Sequence, residues 1–326
     1  MSHEMMYGEA IAAAMMEEME RDTSVVFYGQ NLAMTERDPF LRKFGKKRVR
    51  IAPISETAEM GIAVGAAITG LRPIVELWMS EFMLVAFNQL INEAPRLRYM
   101  SGGQVKVPLV FKAGYGFAAG WAGQHSNCVY HTMMGIPGLK VALPSTAADA
   151  KGLMAAAIRD DNPVVYLHHY MLTLDKGPVP EGEHVVALGV ADVKREGSDV
   201  TIVATGWMVK KSLAAAELLA KEGISAEVVD PRTLAPLDVE TILKSVKKTG
   251  RLVLVDQATR HASAAAIIAA EMAERGGSAL KAPVKMVTSL DTSIPFSETL
   301  ESYVLPNEEK IIAAVKSVLA EQVTAV

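Results

Sequence analysis

The chain has 326 residues and a formal net charge of -4, from 33 basic and 37 acidic residues spread along its length. That length accommodates two domains of about 100 to 200 residues each, and the balanced charge gives no footprint for a nucleic-acid partner. Charges interrupt every apolar run before the roughly 20 residues that a membrane span requires, so no membrane partner is expected. The single cysteine, Cys128, allows no intrachain disulfide and suits a reducing compartment. Met1 to Glu20 has helical spacing with several glutamates, unlike a signal peptide or an Arg-rich transit segment, and a cytoplasmic location is expected.

Along the chain, short β-branched runs alternate with amphipathic stretches of helical length, the pattern of an α/β fold with a mainly parallel sheet. A helix near Glu9 to Arg21 leads to a strand at Val25 to Tyr28. Further strands are expected at Ile74 to Trp78, Pro108 to Lys112, Lys140 to Leu143 and Pro163 to His168. Helices near Glu56 to Thr69, Glu81 to Tyr99 and Thr146 to Arg159 fall between them. The first domain is therefore placed at residues 1–175 and is doubly wound. The Pro- and Gly-rich segment 176–190 reads as a linker. A second, smaller α/β domain, 191–326, has strands at Val200 to Ala204, Ala226 to Val229, Leu252 to Val255 and Val284 to Val287. Its helices lie near Val209 to Lys221, Val239 to Lys248, Ala262 to Glu274 and Glu308 to Glu321.

Two conspicuous patterns have ordinary readings. The glycines of Gly114-Tyr-Gly116-Phe-Ala-Ala-Gly120 follow a strand, but no helix opens at the last of them and no acidic residue lies about 20 positions on. A dinucleotide site is set aside in favour of an active-site loop. His125, Cys128 and His131 are three residues apart, yet no fourth zinc ligand has matching spacing. His168 and His169 would point to opposite faces of a strand.

The most informative stretch is Ile54-Ser55-Glu56, followed by Thr57-Ala58-Glu59-Met60 and then Gly61-Ile-Ala-Val-Gly65-Ala-Ala. Ser55 is a credible N-cap, and Glu56 in the first turn would be favoured by the helix dipole alone. The ordered series around it carries more weight. It comprises Gly70-Leu-Arg-Pro-Ile74, Tyr99-Met-Ser-Gly-Gly103, Gln124-His-Ser126, Pro137-Gly-Leu-Lys-Val141, Asp149-Ala-Lys-Gly-Leu153, Asp160-Asp-Asn-Pro163 and Val229-Asp-Pro-Arg-Thr-Leu234. With this series nearly the whole chain resembles the beta subunit of the thiamine diphosphate-dependent component of 2-oxo acid dehydrogenases, within the transketolase-like superfamily.

That resemblance implies a transketolase-like pyrimidine-binding domain followed by a transketolase C-terminal domain. It implies that Glu56 hydrogen-bonds the aminopyrimidine ring nitrogen of thiamine diphosphate and shares a proton with it, while Glu59, one turn later, is structural. Phe82 would pack on the pyrimidine with Trp78 nearby, and His125 would serve the substrate side or acyl handover. A monovalent cation such as K+ maps to Leu109, Ala157, Ile158, Asp160 and Asn162. No Gly-Asp-Gly with a following asparagine pair occurs in the sequence, so the ligands for Mg2+ and the diphosphate are expected from an alpha subunit, in an alpha2beta2 heterotetramer.

The sequence departs from the family's pattern where Gln30 and Asn31 stand in place of two acidic residues and where Asn127 stands in place of glutamine. The substrate therefore stays open among pyruvate, a branched-chain 2-oxo acid and acetoin, with a lipoyl acyltransferase as acceptor. A split transketolase or acyloin-forming ligase, or a non-catalytic binding subunit, are the competing readings.

Overall fold

The computed structural model describes residues 2–30 and 38–321. The departure at Asn31 lies outside the described residues. The chain divides into two compact units, Met1–Tyr115 with Thr132–Leu188, and Gly116–His131 with Gly189–Val326. No helix among the described residues is long and apolar enough to cross a membrane.

The first unit begins with β1 (Ser2–Met6) and α1 (Tyr7–Arg21), whose start is fixed by the Glu9 carboxylate accepting the Met6 backbone N–H at 3.0 Å. It continues through β2 (Val25–Gly29), α2 (Pro39–Arg48), β3 (Val49–Ile51), α3 (Glu56–Ile68) and β4 (Arg72–Met79). After α4 (Leu97–Met100) come β5 (Val110–Tyr115), the boundary helix α5 (His131–Met134), β6 (Lys140–Ala142), α6 (Ala147–Arg159), β7 (Val164–His169) and β8 (Lys176–Pro180). Strands β6, β7, β5, β4, β2 and β3 lie side by side in that order, all parallel. Their apolar runs are nearly continuous because parallel strands are covered on both faces. The polar exception in β5 is Lys112, which stands opposite Glu76 of β4 and forms an ion pair with it.

Two stretches differ from the sequence expectation. The single helix expected over Glu81 to Tyr99 is instead a 3-10 segment, Ser80–Ala86, a π turn, Gln89–Glu93, and the short α4. Pro95 explains the break, since it has no N–H to give the carbonyl four residues back. That carbonyl, of Ile91, accepts the Arg96 Nε at 3.1 Å instead, and the Ala94 N–H reaches back five residues to the Gln89 carbonyl. The second stretch is the segment read as a linker, which contains β8. It pairs antiparallel with β1, with Ser2 opposite Pro180 and Met6 opposite Lys176. Val179 supplies the reason, because it is fully buried against Ala10 of α1 and Ala147 of α6 while the prolines sit on an edge.

In the second unit, β9 (Asp192–Arg195), β10 (Val200–Ala204), α7 (Trp207–Lys221), β11 (Ala226–Asp230), β12 (Thr233–Ala235), α8 (Val239–Thr249) and β13 (Leu252–Thr259) follow in order. The remainder is α9 (Ala264–Gly276), β14 (Lys285–Ser289), α10 (Glu298–Val304) and α11 (Glu308–Ala320). The sheet order is β14-β13-β10-β11-β9, parallel except for the edge strand β9. Alternation along β10 divides the core. Val200, Ile202 and Ala204 pack with α7 and α11 residues such as Leu219 and Val315, whereas Val203 packs with Ile242 and Ile268 of α8 and α9.

Candidate active site

The winding of the first sheet marks one place for a ligand. From β2 the chain moves outward to the edge strand β3 and then returns through α3 to β4 on the other side of β2. Ligands of open α/β sheets bind outside the carboxyl ends of the strands where the winding direction reverses. At that edge β2 ends in Gly29-Gln30, β3 leads to Glu56 at the start of α3, and β4 ends in Trp78-Met79 before the 3-10 segment holding Phe82. Gly29 is required there, since a Cβ at this position would lie 2.6 Å from the Glu76 carbonyl oxygen.

Glu56 is the first residue of α3 and is half-buried, where the helix dipole favours its negative charge. Ser55 is the N-cap by position, but its hydroxyl makes no capping hydrogen bond. The Glu59 side chain does the converse, accepting the Ser55 backbone N–H at 3.0 Å through Oε1, which also accepts the Gln30 Nε2 at 2.9 Å. Glu59 is buried, and desolvation holds its carboxyl above the usual range against the pull of those two hydrogen bonds, with the Glu56 charge adding to the rise. The Thr57 hydroxyl donates to the Val85 carbonyl at 3.1 Å, which ties the first turn of α3 to the segment that carries Phe82. Phe82 is half-buried, and Trp78 is 55% exposed although it ends a central strand.

Several large apolar side chains of this unit face solvent in the isolated chain. Ile54 just before α3, Ile62 on it and Val85 beside it are 67%, 64% and 60% exposed. Gly65, also on α3, has open space where a Cβ would stand. Exposed apolar side chains of this kind are suited to burial against another chain.

His125 belongs to the second unit, on the loop Gly116–His131. This loop is no helix, so the three-residue spacing does not bring His125, Cys128 and His131 to one face. Its backbone takes left-handed conformations at Gly116, Gly120 and Ala122, with φ of 66°, 75° and 59°. The His125 ring stands 6.1 Å from that of Trp121, which in turn lies 5.3 Å from Phe117. Asn127 has a local use, since its Nδ2 donates to the Gly123 carbonyl at 2.6 Å and braces the turn below His125. The loop is anchored by Tyr130, whose hydroxyl donates to Asp256, and by the Gly120 N–H, which reaches the Glu301 carboxylate at 3.4 Å.

Of the residues assigned to a monovalent cation, Leu109, Ile158, Asp160 and Asn162 have oxygens that already accept hydrogen bonds from the protein. The carbonyls of Ile158 and Asp160 each accept Arg72 Nη1 at 3.0 Å, and the Leu109 carbonyl accepts the Val164 N–H. The Asn162 side chain accepts from Arg98 and donates to Asp160. Ala157 is fully buried in the last turn of α6. A cation there would have to share two carbonyls with the Arg72 guanidinium. Among the described residues, no three His, Cys, Asp or Glu side chains converge as a metal site.

Of the residues singled out from the sequence, Glu56, Trp78 and Phe82 thus lie along one edge of the first sheet. Sequence reasoning missed the Gln30–Glu59 pair. The signal available was a helix whose first two turns carry two glutamates where one would satisfy the dipole.

Comparison with known proteins agrees with this architecture. The family description "Transketolase, pyrimidine binding domain" matches residues 3–173, and "Transketolase, C-terminal domain" matches residues 189–311. The chain is 44% identical to the acetoin:2,6-dichlorophenolindophenol oxidoreductase subunit beta of Cupriavidus necator, over 95% of this chain and 96% of that one. It is also 44% identical to the pyruvate dehydrogenase E1 component subunit beta of Rickettsia felis, over 95% and 97%. With the 2-oxoisovalerate dehydrogenase subunit beta of Bacillus subtilis the identity is 41%, over 97% and 99%. Among solved structures, a split gene transketolase described as an inactive beta4 tetramer has a TM-score of 0.79 at 26% identity, covering 97% of this chain and 98% of that chain. The chain belongs to the transketolase-like family that includes these dehydrogenase beta subunits.

Proposed function

We propose that this chain is the beta half of a thiamine diphosphate-dependent component that cleaves a 2-oxo acid or acetoin, completed by an alpha chain. The observation that carries the proposal is the position of Glu56, a half-buried carboxylate at a helix start on the carboxyl edge of the sheet, where the winding reverses. A carboxylate there fits the aminopyrimidine ring, and the aromatic surfaces of Trp78 and Phe82 on the same edge fit its face. The sequence carries no Gly-Asp-Gly with a following asparagine pair to hold the diphosphate and Mg2+, and in this reading a second chain supplies those ligands.

When bound, thiamine diphosphate supplies a carbon nucleophile that no side chain offers. In this reading Glu56 shares a proton with the aminopyrimidine ring nitrogen, and Trp78 and Phe82 hold the ring so that this hydrogen bond is maintained. His125 orients the substrate carboxylate or serves acyl handover to a lipoyl acyltransferase. Exposed Ile54, Ile62 and Val85 form part of the surface that the alpha chain covers. No step is routed through a monovalent cation.

Calorimetry with thiamine diphosphate and Mg2+ tests the two-chain requirement. The isolated chain should bind weakly or not at all, and the co-purified alpha-beta assembly should bind in the micromolar range or tighter. Micromolar binding to the isolated chain would overturn the proposal. A turnover screen of pyruvate, branched-chain 2-oxo acids and acetoin, with and without an aldehyde acceptor, separates dehydrogenase chemistry from a transketolase-like transfer.

A further inference from the structure

The hydrogen bonding of Glu59 is asymmetric. Its Oε1 accepts both the Gln30 Nε2, at 2.9 Å, and the Ser55 N–H, at 3.0 Å, whereas its Oε2 is buried with no partner. Glu59 is 3% exposed and Gln30 7% exposed, so water does not make up the difference freely. A carboxylate whose one oxygen accepts both donors while the other lies bare in the interior is costly, and a neutral acid in the same place costs less, since an unpartnered hydroxyl is cheaper to bury than an uncompensated charge. Glu59 lines a cleft of about 360 Å³ between α3 and strands β2 and β3, walled also by Val26, Ile62, Ala66 and Leu71. Tyr28 also lines this cleft, and its hydroxyl is likewise buried without a partner.

We propose that Glu59 is a positioning residue for Glu56, a neutral acid whose carbonyl oxygen ties Gln30 at the end of β2 to the Ser55 N–H immediately before Glu56 at the start of α3. This rests on the role of Glu56 proposed above. The two glutamates stand three positions apart on one helix, so an ionised Glu59 would place a second negative charge within a turn of the group that must share a proton. Keeping Glu59 protonated removes that competition. Gln30 completes the device, because a neutral amide donates to Oε1 where an acidic residue at the same position would repel it. Burial, the largest influence on Glu59, acts in the required direction. The charged and titratable groups around it are Glu56 on its own helix and, lining the same cleft, Tyr28 on β2, Lys47 and Arg48 on α2, and Arg50 on β3. The Arg48 guanidinium is committed to the carbonyls of Met19, Asp22 and Val25.

Glutamine at position 59 mimics the protonated acid, with an acceptor oxygen for Gln30 and Ser55 and a donor in place of the hydroxyl. The test compares Glu59→Gln, Glu59→Leu and Glu56→Gln in the alpha-beta assembly by exchange of the cofactor's thiazolium proton for deuterium. Alongside it, thermal midpoints of wild type and Glu59→Gln are followed as a function of pH in the isolated chain. Infrared spectroscopy of the same samples reads the protonated-carboxyl C=O band. Glu59→Gln is expected to keep exchange within about threefold of wild type, whereas Glu59→Leu slows it by about tenfold or more. The folded pKa of Glu59 is raised, so its contribution to stability is full below the unfolded value and is lost as pH rises through the folded value. Wild type should therefore lose stability relative to Glu59→Gln across that window, and the infrared band should be absent from Glu59→Gln. Exchange lost equally in Glu59→Gln and Glu59→Leu, or parallel pH profiles with no band difference, would overturn the proposal. If Glu56→Gln alone exchanges normally, the reading of Glu56 fails, while the pH profile and infrared band still decide the state of Glu59.

Discussion

The Tyr130 hydroxyl donates to Oδ1 of Asp256, a fully buried carboxylate that also accepts the backbone N–H groups of Ala258 at 2.9 Å and Ala265 at 3.1 Å. Asp256 thereby joins the end of β13, the first turn of α9 and the loop of His125 within one unit. Removing the phenol hydroxyl leaves a buried carboxylate short of one donor. Tyr130→Phe should therefore lower stability by about 1 to 3 kcal/mol and make the loop Gly116–His131 more readily cleaved in limited proteolysis. Unchanged denaturation midpoints and cleavage rates would show that the loop is held by other contacts.

Replacing His125 by alanine should slow turnover or acyl transfer while leaving cofactor affinity within about threefold, if the imidazole contributes as general acid-base groups do, at roughly 10² to 10⁴ in rate. Single-turnover kinetics in the assembled enzyme separate the steps. A drop in cofactor affinity with an unchanged saturated rate would contradict the role assigned to this side chain.

Asp161 accepts hydrogen bonds from Lys106 and Arg72, and these hold its carboxyl below its ordinary value of 3.8. A lowered folded pKa contributes stability above the unfolded value, and that contribution is lost as pH falls through the folded one. Below about pH 4 the wild type should lose stability more steeply than Asp161→Asn, as read by thermal midpoints across an acid series. Identical acid limbs would mean that the ion pairs with Arg72 and Lys106 contribute nothing in solution.

Gly29→Ala should destabilise the first unit by about 1 to 3 kcal/mol, the usual cost of overpacking, because its Cβ would meet the Glu76 carbonyl oxygen at 2.6 Å. Equilibrium unfolding of the purified chain measures it, and a change under a few tenths of a kcal/mol would show that β2 and β4 can part at that point.

Much of this architecture was legible because parallel strands and their helices carry strong periodic signals. The apolar runs at β2, β5, β7 and β10 and the helices α3, α6, α7 and α8 all fall within a few residues of their expected bounds. The stretch from Glu81 to Tyr99 misled because its apolar spacing fits a helix, whereas Pro95 and the Arg96 side chain redirect the backbone hydrogen bonds. Strands β1 and β8 were hidden for a different reason. Each is short, and β8 acquires its register only by pairing with a segment more than 170 residues away in sequence. At the site, Glu56, Trp78 and Phe82 could be named from local motifs joined to a resemblance. The Gln30–Glu59 bond could not, since it depends on β2 and α3 being brought together in three dimensions and on the burial that follows.

The central claim is that Glu56 shares a proton with the cofactor, and Glu56→Gln tests it most directly. The amide keeps the size and a hydrogen-bonding group in the first turn but cannot act as an acid-base pair. Loss of such a group costs roughly 10² to 10⁴ in rate, about 3 to 5 kcal/mol of barrier, against about 0.3 to 1 kcal/mol of stability for a helix-dipole contact. The measurement is deuterium exchange at the thiazolium carbon in the reconstituted alpha-beta assembly at saturating thiamine diphosphate. The account predicts that exchange slows by that factor in Glu56→Gln, with assembly and thermal midpoint nearly unchanged. Exchange at the wild-type rate would contradict it and leave Glu56 as a helix-end carboxylate.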